Sequence, residues 1–328
     1  MNPVPKTLPA MLAPHWHADP ATLALFAGGR PESDGILFRF THAGGPAVLK
    51  IIEVDGKDPH ALRISEERAN LMAHLATHGV SMPRLLPAAD GAASVVMKSE
   101  GRTFRAYVME QVSGKLYHQT PVSARCAFIE GMGAVLGQMH AAAASYPLWE
   151  GLPAGGDVHA PLSWQNEMDF FHGWMHDDAA RACWERLRVR LADLPQTRRT
   201  MGFIHNDPHP WNFLWLDGTL TVLDFDVANC HFLLNDLAIA LFSLLMEQTN
   251  HFERPLDPIA AKEALAGLLR GYRRFHVPPE GWEAQLDLFL QYRRLLLLCA
   301  MSDGLGSVPP HLASMYRLAL AEAPVWKG

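Results

Sequence analysis

Cysteine is scarce and scattered: Cys126, Cys183, Cys230 and Cys299 are the four in 328 residues, and none forms a CxxC pair. That spacing supplies no zinc or disulfide framework and reads as the reduced, mostly buried thiols of a cytoplasmic protein. Long apolar runs are missing. The longest in the C-terminal part, "LLLLCAM" at 295–301, is far short of the ~20 residues that span a bilayer. The opening "MNPVPKTLPAMLAPHW" lacks the charged-then-apolar order of a signal peptide. Basic charge is in short supply, with 28 Lys and Arg against 34 Asp and Glu and a net charge of −6. This is the opposite of a nucleic-acid-binding footprint. No repeat or low-complexity tract breaks the chain. With 49% apolar and 19% charged residues, the composition is that of a globular enzyme, long enough for one large domain or two ordinary ones.

Two textures follow one another. "ILFRF" (36–40), "AVLKII" (47–52), "SVVMK" (94–98) and "FRAYVMEQV" (104–112) are short, partly alternating runs separated by Gly and Asp turns. Between the second and third, Asp58 can cap a helix, Pro59 suits its first turn and Gly79 ends it. After residue 121, Phe128, Met132, Val135 and Met139 fall on one helical stripe. A Gly/Pro-rich connector at 147–161 follows, then helical stretches at 163–193, 235–249, 258–276, 280–302 and 308–323. The reading is an α+β chain of two lobes. Residues 1–110 form a small β-rich lobe, a five-stranded sheet plus one helix, and residues 111–328 a larger helical lobe.

One segment interrupts the helices: "FIHNDPHPWNFLWLDGTLTVLDFD", residues 203–226. It crowds His205, Asp207, His209 and Asn212 into a Pro-rich turn and brings Asp224 and Asp226 to the end of the following hairpin. Carboxylates grouped near one point repel each other, so such a group is tolerated where a cation or a reaction needs it. Taken singly, Asp207, Asn212 and Asp224 are turn formers, Lys50 a strand-end lysine and Glu67 a solvated helix residue. Taken in order they match phosphoryl transfer, which needs oxygen ligands for Mg²⁺ and a carboxylate to orient the attacking hydroxyl. His-x-Asp-x-x-x-x-Asn followed by Asp-Phe-Asp has the spacing of a kinase catalytic loop and its metal-binding aspartate.

The segments "HNDPHPWNFLW", "LTVLDFD" and "NDLAIAL" together resemble the aminoglycoside/choline/homoserine phosphotransferase family, with Asn206 where glycine is common. The resemblance implies a bilobal protein-kinase-like fold and a small-molecule kinase using ATP or GTP with Mg²⁺. It implies that Asp207 orients the hydroxyl, that Asn212 and Asp224 hold the metal, and that Asp226 serves a second ion or its water. His205 and Asp236 would brace the loop. "AVLKI" resembles the strand lysine, so Lys50 would contact the α- and β-phosphates, with Glu67, or the competing Glu66, as its partner. Gly28, Gly29 and Ser33 stand where the phosphate-covering loop belongs. Backbone groups of Glu110 and Val112 would meet the adenine edge. These groups are expected to converge on a magnesium-nucleotide.

The acceptor is a small-molecule hydroxyl whose charge stays open. His209, and the aromatic-acidic stretch containing Asp169 and Trp174, could contact it, the stretch suiting a cation. Arg293 would suit a carboxylate instead. Two other activities compete: a metallohydrolase using His205, Asp207 and His209, and a protein kinase. A non-catalytic binding module is a third reading. Oligomeric state leaves no mark in the sequence.

Overall fold

A computed structural model of the chain describes residues 4–28, 35–42, 45–146, 162–250, 252–254 and 256–326. The chain divides into two compact units. The first is Met1–Gly114 with Thr221–Asp226; the second is Lys115–Leu220 with Val227–Gly328. The first unit thus extends past residue 110 and recruits the end of the late hairpin. The reason is local: the Val222 amide donates to the Ser81 carbonyl at 2.9 Å, and Thr221 and Ser81 share a hydroxyl contact at 3.2 Å.

In the first unit α1 (Leu8–Leu12) precedes β1 (Ala24–Gly28), β2 (Ile36–His42) and β3 (Gly45–Val54), then α2 (Pro59–Thr77), β4 (Leu85–Leu86), β5 (Val95–Ser99) and β6 (Arg102–Glu110). The sheet has six strands rather than the five expected, in the order β1-β2-β3-β6-β4, with β5 also on β6. A two-residue strand such as β4 carries no alternation for a sequence pattern to reveal. All the pairings are antiparallel.

Period-two alternation then sorts the sheet's faces. Ala47, Leu49 and Ile51 of β3 and Phe104, Ala106 and Val108 of β6 join Leu8, Leu12 and Trp16 in one apolar cluster. The Trp16 indole N–H donates to the Leu86 carbonyl at 2.9 Å. The residues between them, Lys50 on β3 and Arg105 and Tyr107 on β6, must face the other way. There Arg105 bonds Ser65 Oγ at 2.6 Å and the Leu62 carbonyl at 3.0 Å, both on α2. Asp58 caps α2 by accepting from the His60 amide at 2.8 Å.

The second unit contains α3 (Arg125–Ala143), α4 (Trp164–Trp174), α5 (Asp178–Ala192), β7 (Met201–Ile204), β8 (Phe213–Leu216), β9 (Thr219–Val222), β10 (Asn229–Phe232), α6 (Leu233–Thr249), α7 (Pro258–Tyr272), α8 (Trp282–Met301) and α9 (Ala313–Leu320). The end of β9 belongs with the first unit. Strands β8 and β9 form a hairpin whose turn residues Asp217 and Gly218 both take positive φ, 47° and 88°, as a tight hairpin turn requires. Strand β10 pairs antiparallel with β7, setting Asn229 opposite Ile204. Helix α6 is buried at every residue from Leu233 to Met246, which encloses the carboxyl group of Asp236 in its first turn. Among the described residues no helix is long and apolar enough to cross a membrane.

Helices α3 and α7 meet backbone to backbone. A Cβ on Gly271 would lie 1.8 Å from the Glu130 carbonyl oxygen, and one on Gly133 would lie 1.9 Å from that of Leu268. The contact sets Tyr272, at the end of α7, beside His140 of α3. Replacing Gly271 with alanine should therefore force the helices apart and destabilise the protein by about 3 kcal/mol. Chemical denaturation would measure the loss.

Candidate active site

Strand β3 puts Lys50 into the interior of the first unit, 3% exposed. Its Nζ lies 3.0 Å from Asp224 Oδ1 and 2.5 Å from Asp226 Oδ2. Tyr107, the register partner of Lys50 on β6, donates its hydroxyl to Asp226 Oδ1 at 3.3 Å. Asp224 holds φ at 62°, and its Oδ1 also accepts from the Asp226 amide at 3.3 Å. Burial disfavours the ammonium, but Tyr107, Asp226 and Asp224 outweigh it and hold the Lys50 pKa above the ordinary lysine value. Burial and then the neighbouring Asp224 push the Asp226 carboxyl up to about 6, against the pull of Lys50. Two carboxylates share the Lys50 ammonium, and the charge of Arg68 also acts on Asp226. Asp224 stays 40% exposed at its side chain. Two carboxylates with an open edge fit Mg²⁺, which takes one or two protein oxygens and keeps several waters.

The second unit carries the loop between β7 and β8. Asp236 is fully buried and all its bonds serve that loop or its support. Oδ2 accepts from the His205 amide at 3.0 Å and lies 3.0 Å from His140 Nε2, while Oδ1 accepts from the Asn206 amide at 2.8 Å. His140 in turn reaches the Tyr272 hydroxyl at 2.8 Å. The His205 ring accepts from the Asp207 amide at 3.2 Å through Nδ1, which fixes its tautomer. Asn206 sits at φ 69°, a left-handed conformation that favours glycine and that asparagine tolerates best among larger residues. Its side chain is locked by Asn235 Nδ2 at 3.0 Å, the Val227 carbonyl at 3.2 Å and the Glu167 carboxylate.

Asp207 projects from this frame. Its Oδ1 accepts from Arg293 Nη2 at 2.5 Å and its Oδ2 lies 3.3 Å from His209 Nε2. Burial would raise its pKa, but Arg293, then His209 and His205, hold it well below the usual carboxylate range. The group is therefore a carboxylate throughout the neutral range. Asn212 donates its amide N–H to the Asp207 carbonyl at 3.0 Å.

Other expected residues fall elsewhere. Asp169 pairs with Arg188 at 2.5 Å, and Trp174 packs on Phe170 and Phe171 with centroids 6.0 Å away. Glu167, two residues before Asp169, is the α4 carboxylate that meets the loop. It also accepts from the Tyr292 hydroxyl. The ion pairs of Lys50 are with the two aspartates, and the charge of Glu66 acts on Arg105. The Glu110 carboxylate pairs with Arg84 at 3.1 Å, and its amide donates to the Arg84 carbonyl at 3.0 Å. Val112 is half-buried beyond the end of β6. Gly28 ends β1 opposite Ile36, whereas Gly29 and Ser33 lie outside the described residues. Tyr107, His140 and Tyr272 were not singled out in the motifs, and Glu167 was noted only as one acid of the aromatic-acidic stretch. Each is set by strand register or helix packing, and no local pattern marks it.

The same fold occurs in the amicoumacin kinase hAmiN in complex with AMP-PNP, Ca²⁺ and Ami. That match has a TM-score of 0.77 at 19% identity over 97% of this chain and 93% of the other. It occurs again in the microcompartment-associated aminopropanol kinase, with a TM-score of 0.65 at 19% identity over 95% and 94%. The architecture is thus the protein-kinase-like one of small-molecule kinases. Residues 31–284 match the phosphotransferase enzyme family, and the chain belongs to it: it is a small-molecule kinase. The homoserine kinase of Granulibacter bethesdensis is 26% identical over 316 residues, 93% of this chain and 88% of that relative. Membership leaves the metallohydrolase and protein-kinase readings without support. Among the described residues, no three His, Cys, Asp or Glu side chains gather as a metal centre.

Asp236 satisfies two amides and a histidine at once, so its removal should be costly. Asp236→Ala should destabilise the protein by about 3–5 kcal/mol, the range for stripping one partner from a buried charged network. The loss would appear in equilibrium unfolding, with turnover falling in parallel because the loop loses its frame.

Proposed function

We propose that the chain transfers the γ-phosphate of Mg-ATP to the hydroxyl of a small acceptor that carries a carboxylate. The observation that carries the nucleotide half is the Lys50–Asp224–Asp226 cluster, a buried ammonium shared by two carboxylates of which Asp224 is open to solvent. Lys50 would release the aspartates to contact the α- and β-phosphates, with Glu67, or the competing Glu66, steadying it. Asp224 would hold Mg²⁺, as the family resemblance also implies for Asn212, and Asp226 would bind a second ion or its water. Bound there, Mg²⁺ would neutralise phosphate charge as the γ-phosphoryl group is transferred. The carbonyl of Glu110 and the amide of Val112 would recognise the purine, the Glu110 amide being already engaged with Arg84.

Asp207 would align the acceptor hydroxyl and take its proton late. A carboxylate with a lowered pKa suits a loose transition state, in which alignment contributes more than deprotonation. The acceptor half rests on Arg293. This guanidinium is buried, touches Asp207 and keeps a buried Nε without a partner. An acceptor whose only charge is an ammonium would meet it unfavourably, whereas one that also carries a carboxylate could share it with Asp207. A hydroxy amino acid such as homoserine, the substrate named for the Granulibacter relative, meets that requirement. The chain would act in the cytoplasm, where ATP is supplied.

A coupled ADP-release assay with paired acceptors tests both halves: homoserine and threonine against the alcohols in which the carboxylate is reduced. Asp207→Ala and Asp224→Ala should each lower kcat about 10³-fold in a chain that still folds. Arg293→Lys should lower kcat/KM more for the hydroxy acids than for the alcohols. Equal loss on both would mean that Arg293 only positions Asp207. Unchanged turnover in Asp207→Ala would remove the mechanism.

A further inference from the structure

The residue after Arg293 on α8 is also an arginine, and it has no role in the reaction described. Arg294 is 3% exposed, and its Nε is buried with no hydrogen-bond partner. Among the described residues no hydrogen bond or ion pair reaches its guanidinium. The carboxylate whose charge it feels is Asp287. That group is already engaged: Oδ1 accepts from the Val325 amide at 2.7 Å and the Trp326 amide at 2.9 Å, and Oδ2 from Gln291 Nε2 at 2.5 Å. Burial lowers the Arg294 pKa to about 10 in spite of Asp287. An enclosed cation this poorly matched is a liability unless something from outside matches it.

Arg294 lines a cavity of about 290 Å³. A second arginine, Arg254, lines the same space; it is exposed and forms no ion pair among the described residues. Phe252, Leu318 and Val325 give apolar walls, and among the described residues Glu253 is the one carboxylate on the lining. Glu253 is held by Asn250 Nδ2 at 2.5 Å.

We propose that this cavity binds a small phosphate monoester, with the phosphate between Arg294 and Arg254 and the carbon part against Phe252, Leu318 and Val325. Two guanidiniums match a dianion better than a single carboxylate, and their planar forks suit phosphate oxygens. The space exceeds what a bare phosphate fills, and the walls on its far side are apolar. The site goes beyond the phosphotransfer reading and uses none of its residues.

Thermal unfolding of the full-length protein tests it, with ethyl phosphate, inorganic phosphate and acetate as separate probes. Ethyl phosphate should raise Tm saturably and at lower concentration than inorganic phosphate, with acetate inactive. Arg294→Met should raise Tm without ligand, because an unmatched charge is gone, and should lose the response to ethyl phosphate. Arg254→Gln, an exposed change that leaves the core intact, should weaken the response about tenfold. Lys50→Met should leave it unchanged. The proposal is overturned if Arg294→Met responds as the parent does, if Lys50→Met abolishes the response, or if acetate matches ethyl phosphate. If Arg294→Met does not fold, a full response in Arg254→Gln overturns it alone.

Discussion

A charge enclosed in protein must be met by an opposite charge or by oriented donors, and the parts of this chain that bear on its chemistry are built around that constraint. Asp236 meets it completely: two backbone amides and His140 surround its oxygens, and the loop that carries Asp207 is fixed as a result. Asp207 meets it through Arg293 and His209 and so stays ionised. In the Lys50 cluster two carboxylates share one ammonium, the charge of Arg68 also reaches Asp226, and Asp224 keeps an exposed edge. The degree of matching therefore separates groups that hold the structure from groups left open for chemistry.

The loop also explains a departure from the family's usual sequence. Asn206 stands where glycine is common, at a φ of 69° that glycine would adopt freely. Asparagine can take that conformation, and here its side chain gains partners that glycine lacks, among them Glu167 of α4 and Asn235 of α6. The loop is thereby tied to two helices as well as to Asp236. Glu167 in turn accepts from Tyr292, whose neighbour Arg293 holds Asp207.

What the sequence disclosed and what it withheld follow from the range of the interactions. The order His205, Asp207, Asn212, Asp224, Asp226 is local, and hairpin geometry allows little choice in how such residues are presented. Asp58 as a cap and Gly79 as a stop were legible for the same reason. Tyr107 was not, because its meeting with Lys50 depends on the register of β3 on β6. Nor was the choice among the acids of α4, where a turn of helix directs Glu167 to the loop and Asp169 to Arg188. The sixth strand and the transfer of Thr221–Asp226 to the first unit are likewise products of tertiary pairing.

The central claim is that a phosphoryl group passes from the nucleotide to a hydroxyl of a small carboxylated acceptor. Phosphorus-31 NMR of the full-length protein with Mg-ATP and homoserine observes that transfer itself. A new phosphate-monoester resonance should grow in step with ADP, with inorganic phosphate a minor product. ADP accompanied by inorganic phosphate alone, for homoserine and for every other hydroxylated acceptor tried, would contradict it.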